Sequence, residues 1–190
     1  MQKLRAEFWE EIRSIDVKDL IFIDESGVNI AMVRVYARAK KGQRARSAKP
    51  TKRGKNVSII GAISVKEIVT SINLLGGIDN LTFTAFIHQK LLPKLWKGAC
   101  VLMDNYSIHK GEDIEQLVAS VGARVIYLPP YSPDFSPIEN LWSKVKIILR
   151  TLGARTYQAL ELAIFTAFES VTQQDLINWF THCCHYTSST

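Results

Sequence analysis

The 190-residue chain has only three cysteines, Cys100, Cys183 and Cys184. They are too few and too poorly spaced for a disulfide framework, which points to a reducing compartment. No apolar run reaches about 18 residues, so no transmembrane helix is expected. The first residues, Met1 to Glu7, run straight into charge and lack the apolar centre of a signal peptide. There is no internal repeat and no low-complexity tract. Apolar residues at 47% and charged residues at 22% exclude a wholly disordered chain. What remains is a soluble protein of one domain, with a possible appendage, long enough to bury about 70% of its unfolded surface.

The most informative absence is local. Between Arg34 and Lys55 there is no acidic residue. Ten basic residues stand there: Arg34, Arg38, Lys40, Lys41, Arg44, Arg46, Lys49, Lys52, Arg53 and Lys55. The formal net charge of +6 therefore hides a mildly acidic remainder, with 14 basic residues against 18 acidic ones. Gly42, Pro50 and Gly54 argue against a long helix in this segment. Its density of one sign fits a surface for a phosphate backbone. A solvated loop is the plainer reading.

Apolar spacing predicts a helix over 3–14, where Leu4, Phe8 and Ile12 recur every four residues beside Trp9. A short buried strand is expected at 20–23, ending on Asp24-Glu25-Ser26-Gly27. Strands follow at 56–64 and 68–75, with Lys66-Glu67 as the turn. A helix over 82–96 leads to a strand at 100–103, which ends on Asp104. A helix at 111–121 and a strand at 124–128 come next. Pro129, Pro130, Pro133 and Pro137 then force an irregular loop. Helices are expected at 138–149, 156–171 and 173–185. Three successive strands predict an antiparallel meander, and the later strand–helix–strand units predict parallel pairing. The fold class is α/β: a mixed five-stranded sheet, three strands antiparallel and then two parallel, flanked by helices. Such sheets bind ligands at the carboxyl ends of their parallel strands.

Asp24 and Asp104 each follow an apolar strand, and parallel pairing brings them side by side. Glu139 is the third candidate. Each has a plainer reading. An aspartate after a strand is often a turn residue. Ser136-Pro137-Ile138-Glu139 fits a capping box with proline at the first helical position. The residues alone leave Glu139 as ligand or as cap, with Glu25 and Asp134 as the nearest substitutes. Three close carboxylates repel one another unless a cation joins them. Oxygen ligands suit Mg²⁺ or Mn²⁺. Two such ions about 4 Å apart can act on both oxygens of a phosphodiester displacement. Asn105 and His109 are auxiliary candidates, able to orient a ligand or contact the phosphate, or simply to cap the next helix. Trp142, Val145, Ile148 and Leu149 read as core, with Lys144, Lys146 and Arg150 facing outward. His182-Cys183-Cys184-His185 lacks a second ligand pair at finger-like spacing and reads as a helix end with incidental thiols.

Three blocks carry a family resemblance. They are Phe22-Ile23-Asp24-Glu25-Ser26-Gly27, then Leu102-Met103-Asp104-Asn105-Tyr106-Ser107-Ile108-His109-Lys110, then Leu128-Pro129-Pro130-Tyr131-Ser132-Pro133-Asp134-Phe135-Ser136-Pro137-Ile138-Glu139-Asn140-Leu141-Trp142. Together they resemble the signature blocks of mariner-type bacterial insertion-sequence transposases. The last is the most specific. The 34 residues between Asp104 and Glu139 match the spacing of that family. The resemblance covers roughly residues 20–180. It implies a ribonuclease-H-like fold of the retroviral-integrase type. It implies an Asp-Asp-Glu triad of Asp24, Asp104 and Glu139 as catalytic metal ligands, and Mg²⁺ (or Mn²⁺) as cofactor. The implied activity is DNA strand cleavage and strand transfer during transposition of an insertion sequence, at element ends and at TA target sites. The implied partners are double-stranded DNA and a second copy of the chain, in the bacterial cytoplasm at the nucleoid. The family places an insertion between its first two strands, here residues 28–55, that clamps DNA or the partner subunit. The expected division is 1–18 as an N-terminal helix or linker remnant and 19–190 as the catalytic domain. The family also uses an N-terminal helix-turn-helix region. Only about twenty residues precede the first strand, so either that part is expected in a separate or frameshift-joined reading frame, or the chain is a truncated relic. A catalytically silent DNA-binding relic and another ribonuclease-H-like nuclease are the competing functions.

Overall fold

In the first strand, even-numbered and odd-numbered side chains go to opposite faces, and both faces are apolar. That pattern belongs to a sheet covered on two sides. The computed structural model describes residues 2–46, 48, 50–105 and 112–184. Strand β1 (Leu20–Val28) lies at the centre. It pairs antiparallel with β2 (Val57–Ile63), which pairs antiparallel with β3 (Ile68–Leu75). On its other side β1 runs parallel to β4 (Cys100–Met103), which runs parallel to β5 (Arg124–Tyr127). The spatial order is β3-β2-β1-β4-β5. This is the mixed five-stranded sheet that the sequence predicts.

One core takes Leu20 and Phe22 of β1, Cys100 and Leu102 of β4 and Ile126 of β5. It is covered by α1 (Gln2–Arg13), α4 (Ile138–Leu152), α5 (Tyr157–Glu169) and α6 (Gln173–Cys184). The other takes Ile21, Ile23, Val101 and Met103, covered by α2 (Asn80–Phe86) and α3 (Glu112–Ser120). The N-terminal helix, expected as a linker remnant, packs into the first core through Phe8 and Ile12, which are 5% and 3% exposed.

Three expectations need correcting. The strand expected to stop at Ile23 continues to Val28, so Asp24 sits in mid-strand opposite Gly61 of β2. Apolar runs mark only where both faces are dry, whereas a half-wet strand end still pairs. The helix expected over 82–96 is not continuous. Asp79 caps Thr82 N–H at 2.8 Å, α2 ends at Phe86, and a π-helical turn (Ile87–Leu91) and a 3-10 turn (Leu92–Lys94) follow. Pro93, which offers no N–H, sits inside that last turn. Lys144, expected to face outward, is half-buried and pairs with Asp175 of α6 at 2.6 Å.

Gly61 is dictated by packing. A β-carbon there would stand 2.8 Å from Cη2 of Trp142. The indole edge comes up against β2 where only glycine leaves room.

Candidate active site

The register of the parallel pair explains how two acids meet. Leu20 is opposite Cys100, and Phe22 is opposite Leu102. The same offset of 80 places Asp24 level with Asp104. Both are even-numbered in the pattern that faces α4. Strand β4 ends at Met103, so the sheet opens there. Helix α4 starts beside the opening and brings Glu139 in its first turn.

Asp24, Asp104 and Glu139 line one cavity of about 460 Å³, together with Ile23, Asn105, Leu128, Pro129, Pro130, Tyr131, Ser132, Pro133 and Ser136. None of these is basic. Asp24 is half-buried, whereas Asp104, Asn105 and Glu139 are exposed to the solvent that fills the cavity. His109 and Lys49 lie outside the described residues, as does His185. Glu25 and Asp134 do not line the cavity. Glu25 has the opposite parity on β1. Asp134 is taken by Arg5.

The capping box does not form. Pro137 is the cap residue of α4, with no side-chain cap hydrogen bond. The backbone N–H of Glu139 donates to the Ser136 carbonyl at 3.2 Å. The Glu139 carboxylate is therefore free of a capping task, and the helix dipole favours an anion in that turn.

Asp24 is held by its surroundings. Trp142 Nε1 donates to Asp24 Oδ2 at 2.9 Å. Burial, then the charge of Glu139, pushes its carboxyl from 3.8 up to about 7, against the backbone N–H of Glu25 and the Trp142 indole. The donor set suits a hard divalent cation: carboxylate and amide oxygens, no competing Lys or Arg, and an acid whose charge wants compensation. Among the described residues no group of three or more His, Cys, Asp or Glu side chains is gathered closely enough to hold a metal as it stands. A divalent ion here would need Asp104 and Glu139, both exposed, to draw closer to Asp24.

By its helical spacing Trp142 reads as core. It is core, at 2% exposure, but its indole N–H is the polar handle that such a residue carries inward. A Gly61→Ala change drives the ring out from under β2. The ring cannot yield easily, because it also packs edge-on against Phe168 at 6.3 Å. We expect a loss of about 1–3 kcal/mol in denaturant unfolding and a parallel loss of any activity that uses Asp24. Unchanged stability would show that the ring is free to move.

The proline-rich wall is fastened from outside by α1. Arg5 donates to Ser132 Oγ at 2.8 Å and to both carboxylate oxygens of Asp134 at 3.1 and 2.6 Å. Its guanidinium lies 4.2 Å from the centre of the Phe135 ring. Phe8 and Trp9 each stack on Phe135 at 5.4 Å. On the far side, Asn140 donates to Cys183 Sγ at 3.5 Å and ties α4 to α6. Nothing in the periodicity of α1 signals its hold on the loop.

The basic segment leaves between β1 and β2. Every described basic residue from Arg34 to Lys55 is exposed, and among the described residues none has an acidic partner. Its two ends are clasped at the corner between α4 and α5. Arg155 donates to the Ile30 and Met32 carbonyls, both at 3.0 Å. Lys55 N–H donates to the Tyr157 hydroxyl at 2.7 Å. Gly54, at φ 68°, passes where a β-carbon would meet that hydroxyl at 2.8 Å.

A family of DDE superfamily endonucleases matches residues 19–182. No curated protein matches at the sequence level. Among solved structures the chain is similar to a Mos1 transposase paired-end complex with left transposon end, with TM-score 0.78 and 14% identity, covering 96% of this chain and 57% of that one. It is similar to a pre-cleavage Mos1 transpososome, with TM-score 0.76 and 13% identity, covering 96% and 58%. It is similar to the catalytic domain of Mos1 mariner transposase, with TM-score 0.69 and 10% identity, covering 96% and 86%. The chain thus spans little more than half of the longer Mos1 chains and most of the catalytic domain. At these identities the likeness is one of fold, and the fold is ribonuclease-H-like. With the family match covering most of its length, the chain belongs to the DDE superfamily endonucleases.

Proposed function

We propose that this chain is the catalytic domain of a transposase that cleaves DNA and joins the cut end to a target. The carrying observation is the cavity lined together by Asp24 from mid-β1, Asp104 past β4 and Glu139 from the start of α4, with no basic side chain among its lining residues. Solved Mos1 mariner paired-end complexes with Mn and with Mg support a divalent ion as cofactor. Asp24, Asp104 and Glu139 would hold Mg²⁺ or Mn²⁺, which when bound would supply positive charge to stabilise displacement at a phosphodiester. The chain's own residues do the rest. Trp142 fixes the direction of Asp24. Asp104 and Asn105 stand at the open end of the sheet, within reach of a phosphate entering between β1 and α4. Glu139 approaches from the opposite wall. Ser132 is not available as a nucleophile, since its hydroxyl accepts from Arg5 and donates to the Pro130 carbonyl at 3.3 Å.

The partner is double-stranded DNA, at the ends of an insertion sequence and at TA targets, whose steps deform easily. The segment from Arg34 to Lys55 contacts the phosphate backbone, including Lys49, with Arg155 and Tyr157 setting its direction. His109 serves beside Asn105. Residues 1–18 act as the lead into a catalytic domain at 19–190. We place the protein at the bacterial nucleoid, working as a homodimer together with a helix-turn-helix part.

The test is cleavage of labelled duplex DNA by the purified chain. Strand cuts that need Mg²⁺ or Mn²⁺ and stop with a chelator are expected. In the same assay, changing Arg38, Lys40, Lys41 and Arg44 together to Gln lowers DNA affinity and flattens its dependence on salt by up to four charges' worth. Binding without cutting in either metal identifies a silent relic. Preference for RNA–DNA hybrids over duplex DNA identifies another ribonuclease-H-like nuclease.

A further inference from the structure

We infer that Tyr131 stacks on a nucleobase beside the scissile phosphate and so positions the substrate strand. The inference rests on the DNA-cleaving reading above, and its carrying observations are separate from the carboxylates. Tyr131 has φ 56°, and among the described residues it is the single non-glycine with positive φ. Residues with a β-carbon avoid this region, and where they hold it the surroundings must impose it. Here they do. Ser132 is 4% exposed, its hydroxyl bridging the Pro130 carbonyl and Arg5. Two and three residues further on, Asp134 and Phe135 are gripped by α1. The chain before and after Tyr131 is thus fixed, with prolines at 129, 130 and 133.

The ring gains nothing from this in the free protein. Tyr131 is 87% exposed. A position that costs strain and buries no ring is one that the fold alone would give to glycine. The remaining use for the ring is outside the molecule. Tyr131 lines the same cavity as Asp24, Asp104 and Glu139. A phosphate bound through a divalent ion that the carboxylates would hold would carry its base one sugar away, within reach of a ring on the rim. A flat aromatic face receives any base, so it secures the strand without reading the sequence. The base has to leave its own stack first, which restricts the contact to a frayed, nicked or bent site.

The experiment uses the full chain, duplex DNA with a fluorescent adenine analogue next to the cut position, and the variants Tyr131→Gly and Tyr131→Phe. Glycine suits φ 56°, so Tyr131→Gly should melt at or above the wild-type temperature. It should also lose the quenching of the analogue and bind cleavable DNA roughly tenfold more weakly. Tyr131→Phe should keep both quenching and affinity. If Tyr131→Gly quenches and binds like wild type, the proposal is wrong. If it melts well below wild type, the ring is a structural element and the proposal is equally wrong. A wild-type protein that quenches the analogue but cuts no DNA in either metal overturns the cleavage reading and leaves the stacking contact standing. One that binds no DNA overturns both.

Discussion

Asp104→Asn and Glu139→Gln should each lower metal-dependent strand cleavage on the order of a thousandfold or more, with little change in melting temperature. Both side chains are exposed in the cavity. Neither is needed to seal a core. Replacing a carboxylate by an amide of the same shape keeps the volume and removes the charge. That charge is what a hard cation needs from its ligand, so the loss should appear in the chemical step and not in folding. Single-turnover cleavage of labelled duplex, read beside thermal melting, separates the two. If both variants cut at the wild-type rate, the assignment of the triad is wrong. If both unfold, the cavity is a structural feature and not a site.

The largest stability effect should come from Asp24→Asn, and it should be a gain. In the metal-free protein the Asp24 carboxyl is pushed up to about 7 by burial and by Glu139. The native state therefore holds a proton between pH 4 and 7 that the unfolded chain releases. The stability this proton gives is complete below about pH 4 and disappears as pH rises through 7. Wild type should lose on the order of a few kcal/mol across that window, while Asp24→Asn, which cannot ionise, stays flat. The amide oxygen can still accept from Trp142 Nε1. At pH 8 without metal the variant should melt higher than wild type, and at pH 4 the two should coincide. Adding Mg²⁺ should raise the wild-type melting temperature at pH 8 far more than at pH 5, and should leave the variant unmoved. Activity should vanish in the variant. A variant that is less stable than wild type at pH 8 would show that the carboxylate is not strained in the free site.

Much of this was legible in the chain because it depended on short-range rules. Continuous apolar runs at 20–23 and 100–103 announced two buried strands, and the acids that follow the runs marked the site, although Asp24 lies within its strand. Glu139 was ambiguous, since proline and glutamate at a helix start serve a cap as readily as a ligand. The start of α4 at Ile138, one residue off the register that the capping box needs, removes the cap reading and leaves the ligand role as the proposal. Three other features were hidden for a shared reason. The Trp142 bond to Asp24 spans 118 residues, the Arg5 grip on Asp134 spans 129, and the Arg155 clasp on Ile30 spans 125. No local pattern encodes such pairs. Only the sheet order, which brings chain ends together, creates them. Gly61 was the one local hint, a glycine within a strand where nothing turns.

The clasp formed by Arg155 and Tyr157 has a consequence for how such proteins diversify. It closes the basic segment at its neck, so the strands β1 and β2 meet in the same register whatever lies beyond Ile30 and Lys55. Past a closed neck, each doubling of loop length costs only about 0.6 kcal/mol. The outer segment is then an exchangeable module. Descendants can lengthen it, shorten it or recolour its charge without disturbing Asp24 four residues before the strand's end. A chimera carrying a foreign outer segment between the same two clasp points inherits the sheet intact and changes only what it grips.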